Sequence, residues 1–435
     1  MPKLKRFRDR VQRIRAKIDS MVGPRSLFRH LDFLKLWSAE TFSVFGVQFS
    51  SLAIPWIAVK TLKADSFEMG LLGALPTVPF LVFGLFVGVW ADRSRRRPIM
   101  VMSDVGRALS LVTIPLAAWW GGPNLILLYL VSFSVGTFTV FDDVSSYAYL
   151  PSLVDEDQLV EGNSRMETSR ASAQVAGPSI AGILIQILTA PVTIIADVVG
   201  YCGSAGFLSW IRKKESQVKR RKDASVVKDI REGLEVVFKN RYLWAIAGST
   251  GTSNFFSSAI GALLILFVVN ELGMNSTELG IIYTLGSLGA LVGAVVASRL
   301  AKRLGLGRTI VLSIFVGGLS WIAVFFADPS FGIPLLILAT FLGSLGSVIY
   351  NVNQVSFRQA IVPVEVQGRL NATMRFLVWG TIPIGSIVGG VLGTVLGLRA
   401  GIGIAAVGGS LAFLWVLLSP VRQITKMPSR QGGIT

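Results

Sequence analysis

The feature that most constrains this chain is a short, strongly basic turn between two long apolar runs. The apolar run from Gly70 ends at Asp92, and four arginines precede the next run, which begins at Ile99. A turn this short predicts two helices that cross a membrane and return. Because short loops rich in Lys and Arg resist translocation, we expect this turn on the cytoplasmic side.

The composition agrees with a membrane protein. The chain has 435 residues, of which 52% are hydrophobic and only 15% charged, and its mean hydropathy is +0.61. These values indicate a chain whose solvent is mostly lipid. The net charge of +17 comes from basic segments between apolar runs, which favours membrane topology over nucleic-acid binding.

Twelve apolar segments are each long enough to span about 30 Å of hydrocarbon at about 1.5 Å per helical residue. They lie at residues 33–58, 68–91, 98–119, 124–149, 164–189, 191–211, 242–269, 278–300, 308–327, 333–357, 370–396 and 398–419. The sequence therefore predicts an all-α, multi-pass protein with 12 transmembrane helices and the lipid bilayer as its main partner.

The basic residues alternate between the two sides of the membrane. They concentrate at 93–97, 212–222, 299–308 and 422–430, which are every second connection, whereas the other connections contain almost no Lys or Arg. This alternation predicts an inner (plasma) membrane protein with both termini in the cytoplasm.

Residues 1–31 are expected to form a cytoplasmic segment, not a signal peptide, because no apolar core separates the basic residues from a cleavage site. Between Leu4 and Met21, apolar residues recur at three- and four-residue steps, and Lys and Arg occupy the other face. This pattern predicts an amphipathic helix on the inner leaflet. A disordered basic tail is the alternative, since short helices are weak in water.

A polar stretch near the middle of the chain divides it into two halves. Residues 212–241 contain 11 Lys or Arg and 5 acidic residues, as expected of a cytoplasmic linker. We therefore predict a six-helix bundle at 32–211, a second at 242–419 and a cytoplasmic tail at 420–435.

The two halves repeat each other. The tetrapeptide Asn163-Ser-Arg-Met166 corresponds to Asn371-Ala-Thr-Met374, and the glycine-rich stretch 177–182 corresponds to 385–389, with a spacing of about 207 residues in each case. Agreement in content, order and spacing is the signal expected of a two-bundle transporter with an internal repeat.

The basic turn resembles the signature of the major facilitator superfamily, G-x-x-x-D-R-x-G-R-R. The matching residues of this inner-gate motif are Gly88, Asp92, Arg93, Arg96 and Arg97. Arg95 stands where the signature has its second glycine. The resemblance covers nearly the whole chain and implies the two-bundle fold of that superfamily.

Asp92 carries the negative charge of this motif. It is expected to hold Arg93 or to face the positive N-terminus of a helix in the other bundle, near residues 367–369, and so to act as an inner-gate latch. A basic loop that only sets topology, with a solvated aspartate, is the alternative.

A second motif lies in the fifth span. Gly177, Pro178 and Gly182 resemble the superfamily's antiporter motif, G-x-x-x-G-P-x-x-G-G, with Ala173 and Ala181 in place of two glycines. The resemblance favours export, and the stretch from 141 to 163 is similar to the drug:proton antiporter branch that contains macrolide efflux proteins and the enterobactin exporter. Small residues that only let helices pack closely are the alternative.

Ionisable residues within spans are costly in lipid and are candidate functional groups. Glu40 and Asp142 are predicted to exchange protons, because each lies about 10 to 12 Å from the cytoplasmic end of its helix. Asp143 is their neighbour, and Asp197 is expected to hydrogen-bond an adjacent helix. The resemblance implies that the first and fourth helices face the cavity. Pairing with Lys35 or another interfacial cation is the alternative for the two proposed proton sites.

Aromatic and amide side chains in three spans are the candidates for a substrate cavity, because an amphipathic ligand needs aromatic faces and sparse polar groups. They are Phe42, Phe45, Asn254, Phe255, Tyr350, Asn351 and Gln354. Contact with lipid or with neighbouring helices is the alternative for each of the aromatic residues.

The sequence offers little for enzyme chemistry. The chain has one histidine, His30, and one cysteine, Cys202, so neither a zinc site of the HExxH type nor a serine-type triad is expected. No Gly-Lys dipeptide exists to form an ATP-binding Walker A loop. We therefore expect no enzyme activity, no cofactor and no metal.

The sequence predicts a secondary transporter that works as a monomer and exports bulky amphipathic molecules, such as macrolide-like drugs, in exchange for protons. Its mechanism is alternating access of two bundles. A siderophore or metabolite exporter and a lysophospholipid transporter of the same fold are the alternatives. A channel or scaffold fits less well, because neither requires a repeated gate motif.

The topology can be tested with a reporter enzyme that is active only outside the cytoplasm. Fused after residue 435, it should be inactive, because an even number of spans and the basic loops keep both termini inside. The same reporter fused within residues 120–123 serves as the positive control and should be active. Activity at residue 435 would overturn the topology.

Overall fold

The computed structural model describes residues 27, 30–91, 94–155, 158–213, 234–362 and 364–426. Within these ranges the chain is almost entirely helical and contains no strand, and 12 of its helices are long and apolar enough to cross a membrane. The predicted count of spans is confirmed. The amphipathic helix predicted at 4–21 and most of the predicted linker lie outside the described residues, and the bundle boundaries stay predictions.

The 12 spanning segments are numbered α1 to α12 in chain order. They are α1 Leu31–Thr61, α2 Ser66–Gly84, α3 Arg96–Trp119, α4 Leu125–Ser146, α5 Leu159–Leu188, α6 Ala190–Ser209, α7 Arg241–Asn270, α8 Ser276–Leu304, α9 Leu306–Phe325, α10 Gly332–Ile361, α11 Leu370–Leu396 and α12 Leu398–Leu417. We call the end of the bundles where α6 ends and α7 begins the linker side, and the opposite end the far side.

Capping residues explain where the second helix of each half begins. The Asp65 carboxylate accepts a hydrogen bond from the Glu68 amide at 2.8 Å, and the Glu68 carboxylate accepts one from the Asp65 amide, also at 2.8 Å. Asn275 and Glu278 form the same reciprocal capping box at the start of α8. Each box satisfies amides that have no partner within the helix. Its recurrence at the same place in both halves is a structural trace of the repeat.

Each half packs as a bundle of its own. In the first half, α1 packs against α5 and α6, and α3 packs against α4 and α6. In the second half, α7 packs against α11 and α12, and α10 packs against α8 and α9. Glycine permits the closest of these approaches, as at Gly200, where a Cβ would lie 2.9 Å from the carbonyl oxygen of Phe42.

The two halves meet along two glycine-lined seams, α5 with α8 and α2 with α11. A Cβ on Gly182 would lie 2.3 Å from the Ser276 carbonyl oxygen, and one on Gly70 would lie 2.7 Å from the Ser386 carbonyl oxygen. Both contacts fall in the far-side half of the helices. The seams therefore close the far side.

The outer surface of the bundles matches a lipid environment. Apolar side chains are exposed along the spans, including Leu109, Leu130, Val199, Val295 and Val395. Trp119 and Trp120 at the far end of α3 are 87% and 85% exposed, and Trp210 is exposed at the linker end of α6. Tryptophan at both ends of the spans is typical of the two membrane interfaces. The chain is a multi-pass membrane protein.

The far-side seam can be tested by adding one methyl group. Gly182→Ala places a Cβ against the Ser276 backbone, and overpacking of this kind costs about 1 to 3 kcal/mol. We expect the far side to open, with the equilibrium shifted roughly 5- to 150-fold. Ser386→Cys on the other seam, in a Cys202→Ser background, reports opening through its reaction with a maleimide added from the far side.

The matched control is Gly261→Ala, because a Cβ at Gly261 meets no atom within 4 Å. This variant should leave the labelling of Ser386→Cys unchanged. If Gly182→Ala labels no faster than Gly261→Ala, the seam does not hold the far side closed.

Candidate functional site

A buried arginine lies at the centre of the first bundle. One terminal nitrogen of Arg107 on α3 lies 2.6 Å from Asp104 Oδ1 and 2.9 Å from Asp142 Oδ2 on α4. The side chains of Arg107 and Asp104 are 3% and 1% exposed. The guanidinium carbon also lies 4.4 Å from the ring centroid of Tyr201 on α6. One cation therefore ties together three helices.

Sequence reasoning missed Asp104 and Arg107, although a signal was present. The two residues stand three apart within the third apolar run, so they share one face of a helix. An opposite-charge pair at that spacing inside a span indicates a buried polar network, because neither charge is stable alone in lipid.

Glu40, predicted as a proton site, lies on α1 close to this network. Its carboxylate accepts a hydrogen bond from the Ser146 hydroxyl of α4, and Arg170 of α5 approaches it to 4.0 Å. The side chains of Glu40 and Asp142 are 12% and 13% exposed. The structure thus brings the two predicted proton sites into one cluster, with an arginine beside each.

Asp143 connects the two bundles. Its Oδ2 lies 3.9 Å from a guanidinium nitrogen of Arg375, which belongs to α11 of the second half. The same guanidinium lies 4.6 Å from the ring centroid of Trp379, one helical turn further along α11. Arg375 was not predicted, and this contact gives the charged cluster a direct link to the other bundle.

Asp197 is buried where α1 and α6 cross. It is 0% exposed, and a Cβ on Gly46 would lie 2.5 Å from its Oδ1. The hydroxyl of Ser50 faces this carboxylate, but neither carboxylate oxygen lies in hydrogen-bond geometry with a described residue. The carboxylate thus faces a hydroxyl of the neighbouring helix α1, and the hydrogen bond that the sequence predicted stays a prediction.

Two adjoining cavities, of about 310 and 540 Å³, lie between the bundles and within the second one. Asn254, Tyr350 and Asn351 line the smaller cavity, as predicted for a substrate site. Gln48 and Gln174 from the first bundle line the larger one and were not predicted. Ser257, Trp321, Gly343 and Ser347 line both cavities, so the two cavities are direct neighbours.

The remaining cavity candidates lie elsewhere. Gln354 is buried behind the cavity, where its amide donates to Asn351 Oδ1 at 3.2 Å. Phe255 is half-buried, with its ring 5.0 Å from that of Phe256. Phe42 stacks on Phe207 of α6 at 5.7 Å, and Phe45 is half-buried; neither lines the two cavities.

The antiporter-like motif lies where α5 meets two other helices. A Cβ on Gly177 would lie 2.4 Å from Gln48 Cγ of α1, and the Pro178 carbonyl lies against Gly280 of α8. Pro178 sits inside a helix that continues from Leu159 to Leu188. The small residues place α5 against both bundles at the edge of the cavity, so packing accounts for their positions.

The inner-gate motif is only partly described. Gly88 lies in the helical segment Val78–Ala91, which continues α2, and the next helix begins at Arg96. Arg97 donates a hydrogen bond to the Ser209 carbonyl at the end of α6. Asp92 and Arg93 lie outside the described residues, so the latch stays a prediction.

Twelve membrane-spanning helices in two bundles define the major facilitator fold. The family model of the transmembrane secretion effectors matches residues 22–431, and the chain belongs to that family.

Relatives of the chain include named exporters. It is 23% identical to macrolide efflux protein A of Streptococcus pyogenes over 372 residues, which are 85% of this chain and 91% of the relative. It is 25% identical to the multidrug efflux pump Tap of Mycolicibacterium fortuitum, with 80% and 86% of the two chains covered. It is 23% identical to the enterobactin exporter EntS of Citrobacter koseri, with 93% and 96% covered.

Among solved structures, the chain is similar to the inward-facing state of a bacterial homologue of the iron transporter ferroportin. The TM-score is 0.72 at 16% sequence identity, with 90% of this chain and 99% of the other covered. This likeness shows the major facilitator fold.

Removing the cation from the charged cluster is expected to lower the stability of the protein. Arg107→Gln leaves Asp104 and Asp142 without a counter-charge, and breaking a buried pair from one side costs about 3 to 5 kcal/mol. We expect a clear fall in the thermal unfolding temperature of the purified protein in detergent. Neutralising the carboxylates as well, with Asp104→Asn and Asp142→Asn, should recover most of the loss.

Lys239→Gln is the matched control, because it breaks an exposed pair with Glu235 at 3.0 Å. Such surface pairs contribute little to stability. An Arg107→Gln variant that unfolds at the same temperature as Lys239→Gln would show that the buried cluster is not held by Arg107.

Proposed function

We propose that the protein is an efflux transporter that exports bulky amphipathic molecules across the inner (plasma) membrane in exchange for protons. The observation that carries this proposal is the carboxylate cluster around Arg107, which is buried among the membrane-spanning helices of the first bundle. Ionisable groups at such a depth are typical of proton pathways in transporters. The macrolide and multidrug exporters among the relatives support drug-like substrates.

Protons are proposed to act at Glu40 and Asp142. Both carboxylates are partly accessible and both have an arginine neighbour, so binding a proton removes one half of an ion pair. The arginine then lacks its counter-charge and can pair with another carboxylate. Because Asp143 and Arg375 belong to different bundles, a change of charge in this cluster is transmitted directly to their relative position.

Alternating access is proposed to exchange the two far-side seams for contacts on the linker side. The glycine seams close the far side in the present arrangement. The inner-gate motif around Asp92 would close the linker side in the other one, where a carboxylate facing a helix N-terminus is stabilised. We assign the linker side to the cytoplasm from the alternation of basic connections.

A single chain is proposed to suffice for transport, because its two halves alone enclose the cavity and supply the charged cluster. Export of a siderophore is a second candidate function. It is favoured by the enterobactin exporter, to which the chain is similar over 96% of the relative's length. Both candidates use the same cavity and the same proton sites.

The proton sites can be tested in everted membrane vesicles with an imposed pH gradient. Glu40→Gln and Asp142→Asn should each reduce gradient-driven accumulation of erythronolide B, a macrolide ring without an amine, to near the level of vesicles without the protein, because neither amide can take up and release a proton. Facilitated movement down an erythronolide B gradient should persist.

Glu167→Gln is the control. Glu167 is an exposed carboxylate in the linker-side half of α5. It should accumulate erythronolide B like the parent. Parental accumulation by both Glu40→Gln and Asp142→Asn would place proton coupling elsewhere. A parent that never accumulates erythronolide B, even when the gradient is shown to be intact, would remove this macrolide ring as a substrate.

A further inference from the structure

The two adjoining cavities are lined by side chains that carry no charge. Arg375 lines a smaller cavity beyond Trp379, where it is paired with Asp143. Its polar lining consists of hydroxyl and amide groups, with Gln48, Gln174, Asn254, Asn351, Ser257 and Ser347 among them. Trp321 and Trp379 supply large aromatic surfaces. Neither of the two adjoining cavities has an Asp, Glu, Lys or Arg among the described residues that line it.

The carboxylates near the cavity are already engaged. Asp142 is paired with Arg107, Glu40 has Arg170 at 4.0 Å, and Asp143 has Arg375 at 3.9 Å. Asp197 is fully buried beneath α1 and cannot be reached. A cationic ligand in the cavity would therefore find no carboxylate to neutralise it without breaking one of these pairs.

The cost of taking a charged ligand out of water then determines which ligands the cavity can bind. Taking an ion out of water costs several kcal/mol unless an opposite charge replaces the water. Hydroxyl and amide groups, in contrast, exchange hydrogen bonds with a neutral ligand at little cost. Gln48 and Gln174 make no side-chain hydrogen bond with a described residue, and the Asn254 amide donates to the Val378 carbonyl, which leaves its own oxygen to accept.

We propose that this cavity binds an uncharged ligand rich in hydroxyl and carbonyl groups, with its apolar face against Trp321 and Trp379. The proposal rests on the proposed transport function and names the substrate class for it. The two bundles then have different roles. The first holds the charges that exchange protons. The second supplies most of the neutral lining that binds the substrate.

This division has a consequence for the driving force. Exporting a neutral molecule in exchange for a proton moves one positive charge inward per proton, so the membrane potential drives transport together with the pH gradient. Exchange of a monovalent cation for one proton moves no net charge and does not respond to the potential. The charge of the substrate can thus be read from the response of transport to voltage.

The first experiment measures equilibrium binding by titration calorimetry to the full chain in lipid nanodiscs. The probes are erythronolide B, a neutral polyhydroxylated macrolactone, and tetraphenylphosphonium, a permanent cation. We expect erythronolide B to bind, and Asn351→Leu and Gln174→Leu each to weaken it about three- to tenfold, the effect of one lost hydrogen bond. Tetraphenylphosphonium should not compete with it.

Asn163→Leu is the matched control, because Asn163 is exposed near the linker end of α5 and does not line the cavity. It should bind erythronolide B like the parent. Binding of tetraphenylphosphonium that Asn351→Leu abolishes would overturn the proposal, as would failure of erythronolide B to bind or binding that neither cavity variant changes.

The second experiment separates this proposal from the transport function on which it rests. In proteoliposomes, a potassium diffusion potential without a pH gradient should drive accumulation of erythronolide B. Cavity binding without any gradient-driven transport would contradict the proposed function and leave the ligand class standing. Gradient-driven transport of tetraphenylphosphonium through the cavity would contradict the ligand class and leave the transport function standing.

Discussion

The contact on which the site depends is that of Arg107 with Asp104 and Asp142. A bundle surrounded by lipid cannot keep an unpaired charge in its interior, so each buried ion must find an opposite charge on its own helix or on a neighbour. Arg107 meets this requirement twice and also covers the ring of Tyr201. Helices α3, α4 and α6 are therefore held together by a charged contact inside the bundle.

The charged residues lie apart from the residues that line the cavity. They occupy the first bundle, whereas the cavity lining is neutral and lies largely in the second, and Arg375 is the described cation that reaches across to Asp143. Glycine seams keep the bundles in contact at the far side without locking them by charge. Packing without ionic bonds lets two large surfaces separate and meet again, while the contact between Asp143 and Arg375 joins the charged cluster to the second bundle.

The sequence predicted the fold well because each membrane helix leaves a local signal. Apolar length gave the 12 spans, and residues that begin helices, such as Asp65 and Asn275, stand between them. The site was harder to predict, since its partners come from distant parts of the chain. Glu40 and Asp142 were found by their depth, but Arg375 lies 232 residues from Asp143. Phe42 was predicted to line the cavity, but its ring stacks on Phe207. The spacing of aromatic residues along a helix does not reveal which neighbour they face.

The central claim is that protons in the first bundle control the position of the second. It is tested most directly by the distance between nitroxide labels at Asn163→Cys on α5 and Arg303→Cys on α8, both at exposed linker-side positions, in a Cys202→Ser background. On a change of pH, the parent should shift between a short and a long distance. The shift should disappear when Glu40→Gln and Asp142→Asn are combined. A distance that is the same at every pH, or a shift that survives in the double variant, would contradict the account.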